Sequence, residues 1–119
     1  MAAIEEVSFE PLGSGVLARL SGEIDLSNAQ SVREQLLAAV PNTASELVLD
    51  LSETKYLDSS GVRLIFELAD RLRSRGQKLE IVVPDHSHVR RVLVLTEVQR
   101  VVPISATVAE TKKNTGNGL

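Results

Sequence analysis

The run Leu47-Val-Leu-Asp-Leu-Ser-Glu-Thr-Lys-Tyr-Leu-Asp-Ser-Ser-Gly61 constrains the fold more than any other part of the chain. Leu47 to Leu51 is a short apolar stretch of the kind that makes a strand buried on both faces. A polar turn follows and ends at Asp58-Ser59-Ser60-Gly61. From there to about Ser74 the pattern is helical. Ile65, Leu68, Ala69 and Leu72 form an apolar stripe, and Arg63, Glu67, Asp70 and Arg71 fall on the opposite face. Strand, turn and helix in this order demand a sheet for the helix to pack on. Two hydroxyls stand where the helix begins, facing free backbone N–H groups and the positive end of the helix dipole. A phosphate is well accommodated at such a place. Ser59 and Ser60 thus have two readings, a helix cap worth about 1 kcal/mol or a phosphorylation switch.

The rest of the chain supplies the sheet. Val7 to Glu10 and Gly15 to Ser21 read as a hairpin around Pro11-Leu-Gly-Ser14. Gly22-Glu-Ile-Asp-Leu26 leads to Ser27, which forms a capping-box pattern with Gln30. Ala29, Val32, Leu36, Leu37 and Val40 then recur at helical spacing, and Pro41-Asn42 ends that helix. Arg75-Gly76 closes the helix that began near Ser60. Leu79 to Val83 reads as a strand, Ser87 to Leu95 as a helix, Val98 to Ile104 as a region holding a short strand, and Ala106 to Lys113 as a last short helix. The order β-β-α-β-α-β-α-β-α predicts an α/β fold: a four- to five-stranded mixed sheet with about four helices packed on it. Leu36, Leu49, Ile65 and Leu68 are expected in one core. The domain is expected to span 1–113, with a disordered tail over 114–119.

Composition narrows the chemistry. The chain has 119 residues, of which 43% are hydrophobic and 3% aromatic, so one domain with an aliphatic core is expected. It has no cysteine, which removes disulfides and thiolate metal sites. A net charge of −3 argues against direct nucleic-acid binding. Arg71, Arg73 and Arg75, like Arg90 and Arg91, sit in helical stretches and read as solvated faces. There is no 18-residue apolar run, and Met1-Ala-Ala-Ile-Glu-Glu lacks the pattern of a secretory signal. A cytoplasmic protein with no membrane contact is the expectation. A serine nucleophile needs an oriented base. The only histidines, His86 and His88, are two apart and would face apart on a helix. The chain carries no Gly-x-Ser-x-Gly elbow and no Walker loop. No catalytic residue, metal or cofactor is expected. Glu23 and Asp25, taken alone, read as turn or cap residues.

Gly22-Glu-Ile-Asp25, Leu47-Val-Leu-Asp-Leu51 and Leu57-Asp-Ser-Ser-Gly61, in this order and spacing, resemble the STAS domain of bacterial anti-sigma factor antagonists. The resemblance runs from about Val7 to about Val108. It implies a non-enzymatic role in partner switching. The unphosphorylated antagonist would bind an anti-sigma factor that is also a serine kinase, and so release the sigma factor. The kinase would use ATP to phosphorylate the serine after the aspartate, here Ser59, and a metal-dependent serine phosphatase would reverse this. Asp25 matches the family's acidic position near the phosphosite, and Asp58, Ser60, Gly61 and Val62 match the kinase-facing segment; Glu23 is expected with them on the partner-binding surface. Val62 stands where the family often has leucine. A monomer or weak dimer is expected. Two other roles exist for such a domain: a subunit of a transporter or lipid-trafficking complex, and a stressosome-like scaffold. A small hydrolase using Ser59 is disfavoured by the lack of a base.

Overall fold

The computed structural model describes residues 4–111, so the tail expected over 114–119 lies outside the described residues. The elements are β1 (Ile4–Leu12), β2 (Gly15–Ile24), α1 (Ala29–Ala39), β3 (Glu46–Asp50), β4 (Thr54–Leu57), α2 (Ser59–Ser74), β5 (Lys78–Val82), α3 (His88–Leu95), a 3-10 turn (Val98–Arg100) and β6 (Ile104–Ser105). Residues 108–111 add one helical turn. The sheet is mixed and has six strands in the order β1-β2-β3-β5-β6, with β4 paired to β2 off this path. β1 and β2 form the antiparallel hairpin. Every other pairing is parallel.

Period-2 alternation decides what each face of the sheet carries. Ala18, Leu20, Leu47, Leu49, Leu79 and Ile81 point to one side, where Val32 and Leu36 of α1, Ile65, Leu68 and Leu72 of α2, and Val89 and Leu93 of α3 meet them in one aliphatic cluster. The expected four residues, Leu36, Leu49, Ile65 and Leu68, are all in it and all fully buried. Leu17, Val48 and Val82 point to the other side and form a smaller cluster with Leu12 and Val108.

Three expectations need correction. The polar turn after β3 contains a strand, β4, in which Thr54 and Leu57 are buried and Lys55 and Tyr56 exposed, so no period-2 alternation marks it in the sequence. Strand β2 is long enough to hold two parallel partners in succession. Residues 16–19 pair with β3, then Gly22, Glu23 and Ile24 pair with β4. The exchange falls at Gly22, whose φ of 105° suits glycine. The capping box at Ser27 and Gln30 does not form. The cap of α1 is Asn28, and the Ser27 hydroxyl is taken by Asp25. The region Val98 to Ile104 opens with a 3-10 turn over Val98–Arg100, and the short strand expected in it, β6, starts only at Ile104 and has two residues.

Of the basic clusters, Arg71, Arg73, Arg75 and Arg91 are exposed as expected, and only Arg90 departs from a solvated face. Arg90 is half-buried; it donates to the Val83 carbonyl at 3.0 Å and pairs with Asp85 at 3.3 Å.

Candidate functional site

The site residues gather because β2 and β4 are parallel neighbours. Their C-terminal ends lie side by side, Ile24 against Leu57, and each strand runs on into a loop and a helix. The Asp58 N–H donates to the Ile24 carbonyl at 3.3 Å. The segment that opens α2 is therefore fastened directly to the segment that opens the Asp25 loop.

Asp58 caps α2. Its backbone is extended, with φ −101° and ψ −168°. Its Oδ1 accepts from the Ser60 N–H at 2.8 Å and the Gly61 N–H at 3.2 Å. This corrects the reading of Ser59 or Ser60 as the cap. Aspartate wins because a carboxylate accepts two orphan donors at once and complements the dipole. Ser59 becomes the first helical residue. It is exposed, and its hydroxyl makes no hydrogen bond among the described residues. Ser60 is half-buried. Gly61 is buried; a Cβ there would lie 2.8 Å from Leu57 Cγ and 3.3 Å from Ile24 Cγ2. Glycine is what lets the helix start settle on the ends of β4 and β2. Val62, 8% exposed, belongs to the core cluster.

The Asp25 loop is laced from within. Asn28 Nδ2 donates to the Glu23 carbonyl at 2.8 Å, and Asn28 Oδ1 accepts from the Asp25 N–H at 3.0 Å. Asp25 Oδ1 accepts from the Ser27 hydroxyl at 2.5 Å and the Ser27 N–H at 2.9 Å, an Asx turn. The Ser27 hydroxyl first, and its N–H second, hold the Asp25 carboxyl below the usual carboxylate range. Asp25 therefore carries its charge across the physiological range. Leu26, at the apex, is 83% exposed.

Between α1 and α2 the surface dips into a groove of about 520 Å³, lined by Leu26, Gln30 and Arg33 on one side and Ser59, Arg63 and Glu67 on the other. Arg33 bridges it with a 2.8 Å ion pair to Glu67. No histidine lines it; His86 lies against a separate depression beside Arg90 and Arg91.

The STAS domain family matches residues 9–111. The chain belongs to the STAS domain family. Among individual proteins, this STAS domain is 29% identical over 90 residues to an anti-sigma F factor antagonist of Paenibacillus polymyxa, covering 75% of this chain and 76% of that one. It superposes on the crystal structure of an anti-sigma factor antagonist from Mycobacterium paratuberculosis with TM-score 0.81 at 23% identity, covering 92% of each chain. It also superposes on the unphosphorylated form of the anti-sigma factor antagonist SpoIIAA with TM-score 0.74 at 19% identity, over 96% of this chain and 99% of that one. It superposes on the phosphorylated form of SpoIIAA with TM-score 0.66 at 19% identity, over 92% of this chain and 99% of that one.

The structure thus brings Glu23, Asp25, Asp58, Ser59 and Ser60 to one end of the sheet, and turns the side chain of Val62 inward beneath them. Sequence reasoning missed Leu26, Asn28, Arg33 and Arg63. For Arg63 a signal existed, since it stands four residues after Ser59 on one helix. For Arg33 and Leu26 none did, because their place depends on how α1 lies beside α2. Among the described residues no helix is long and apolar enough to cross a membrane.

Proposed function

We propose that this STAS domain is an anti-sigma factor antagonist whose Ser59 is the phosphoacceptor of a partner-switching pathway. The observation that carries the reading is the Ser59 hydroxyl: exposed, unbonded among the described residues, and at the first position of a helix whose start is pinned by Asp58. The name of the Paenibacillus polymyxa relative supports it.

The partner is an anti-sigma factor with serine kinase activity, and the opposing enzyme a metal-dependent serine phosphatase. The surface offered to the partner comprises the Glu23–Asp25 loop and the Asp58–Ser60 turn. Gly61 and Val62 shape it from beneath. In the forward step Ser59 Oγ bonds to the γ-phosphorus of the kinase's ATP. The bond from that phosphorus to the β-phosphate oxygen breaks, ADP leaves, and the hydroxyl proton passes to a base of the kinase. In the reverse step water cleaves the serine ester and releases inorganic phosphate.

The consequence is electrostatic. A phosphoserine adds about −1.5 to −2 charges at pH 7. Within the domain the α2 dipole offsets part of this. Against a partner, the dianion beside the ionised Asp25 must be desolvated and repelled. A loss of about 3–4 kcal/mol, the scale of a disrupted buried charge contact, weakens binding by hundreds-fold.

The test has two steps. A pull-down with the unmodified protein should recover an ATP-binding kinase, and Asp25→Lys should weaken that capture while circular dichroism stays unchanged. Incubation of the pair with ATP, followed by peptide mass spectrometry, should place the phosphate on Ser59. A phosphate on Ser60, or undiminished labelling of Ser59→Ala, overturns the assignment.

A further inference from the structure

We infer that Arg63 clasps the phosphate of phosphorylated Ser59 across one turn of α2, so that the modified domain holds its own phosphoryl group in the groove between α1 and α2. The inference rests on Ser59 being the phosphoacceptor. Three observations lead to it. Ser59 and Arg63 line the same groove. They are four residues apart on one helix, with the anion toward the N-terminus, the orientation in which such pairs are favourable. Arg63 is also exposed and uncommitted: it makes no ion pair among the described residues. The groove's one carboxylate, Glu67, is held by Arg33 at 2.8 Å and is not competing for Arg63.

Arg33 does not fill this role itself. Its Nη1 is held by Glu67 and its Nε is buried without a hydrogen-bond partner, so it is fixed in place where the exposed Arg63 is not. Arg63 faces water in the unmodified protein and gains a partner only when Ser59 carries a phosphate. A guanidinium offers two parallel N–H donors to two phosphate oxygens, a match that lysine lacks. The clasp favours the fully ionised phosphate, and closes the groove beside Leu26.

The experiment uses the full chain with phosphoserine installed at position 59 during translation. It requires no kinase, so a kinase that fails to modify Ser59 would sink the proposed function and leave this test standing. The second ionisation of the phosphate is followed by 31P NMR against pH. The wild-type phosphoprotein should titrate about half a pH unit below R63Q, the direction a nearby cation and its hydrogen bonds impose. R63K should restore part of the lowering. R71Q removes an equal charge twelve residues along the helix, about 18 Å from Ser59, and should titrate like wild type. Comparing each variant with its own unphosphorylated form cancels any general cost of the substitution: phosphorylation should raise the melting temperature of wild type more than that of R63Q. Equal midpoints for wild type and R63Q, or a lowering lost equally in R71Q, overturn the clasp.

Discussion

Helices α1 and α2 begin at the same end of the sheet, after neighbouring parallel strands, and they begin in opposite ways. At α2 the capping side chain serves the helix: Asp58 accepts from two of its first N–H groups. At α1 the residue in the same position, Asn28, makes no side-chain bond to the helix. Both ends of its amide reach backward, to Glu23 and Asp25. One start is a fixed platform and the other is a loop held by its own polar groups. Residue types alone do not distinguish them, since Asp and Ser stand at both. What distinguishes them is which backbone donor or acceptor lies nearest once the strands are paired.

The largest expected effect comes from the platform's floor. Gly61→Ala forces a Cβ into the Leu57 side chain, which is only 2% exposed and has no room to yield. A loss of about 1–3 kcal/mol is expected, measured by urea unfolding. An unchanged midpoint would mean that the start of α2 is not seated on β4.

Next come the two caps, compared directly. Asp58→Ala removes two bonds to the helix and should cost about 1–2 kcal/mol. Asn28→Ala leaves the Asp25 N–H and the Glu23 carbonyl without their partner and should cost about 1 kcal/mol. Helical amides of α2 should exchange faster in the first variant, and amides of the Asp25 loop in the second. The opposite pattern in hydrogen exchange would erase the distinction between the two starts.

A smaller effect is expected at Ser59 itself. As the first helical residue and not the cap, Ser59→Ala should change stability by no more than about 0.5 kcal/mol. That is less than the ~1 kcal/mol expected had it been the cap. The smallest effect concerns pH. The bonds from Ser27 depress the folded-state pKa of Asp25. The stability they lend is present above the unfolded value of about 3.9 and fades as pH falls through the lower folded value. Wild type and Asp25→Asn should therefore differ most at neutral pH and converge in acid, as followed by thermal melts from pH 7 to pH 2.5.

Most of the architecture was legible in the sequence because it rests on periodicity. The stripe of α2 and the apolar run of β3 have one geometric solution each. Strand β4 was hidden because its buried ends and exposed middle do not alternate, and its partners in β2 lie more than 30 positions earlier. The capping box failed for a related reason. Ser27 and Gln30 satisfied a local rule, but Asp25, two residues earlier, offered Ser27's hydroxyl a nearer acceptor. At the site, the Asp58–Gly61 tetrapeptide was visible as a unit, while the groove needed the α1–α2 packing to exist.

The exchange of partners along β2 has a consequence for timing. Because the β2–β4 ladder continues into the bond from Asp58 to Ile24, and the apolar stripe of α2 lies in the core cluster, the end that carries Ser59 is tied to both the sheet and the core. Its local opening is coupled to the loss of those contacts. Under the proposed function, a phosphate on Ser59 persists for as long as the phosphoester bond does. The memory of such a switch would be kept by covalent chemistry and not by a conformational barrier.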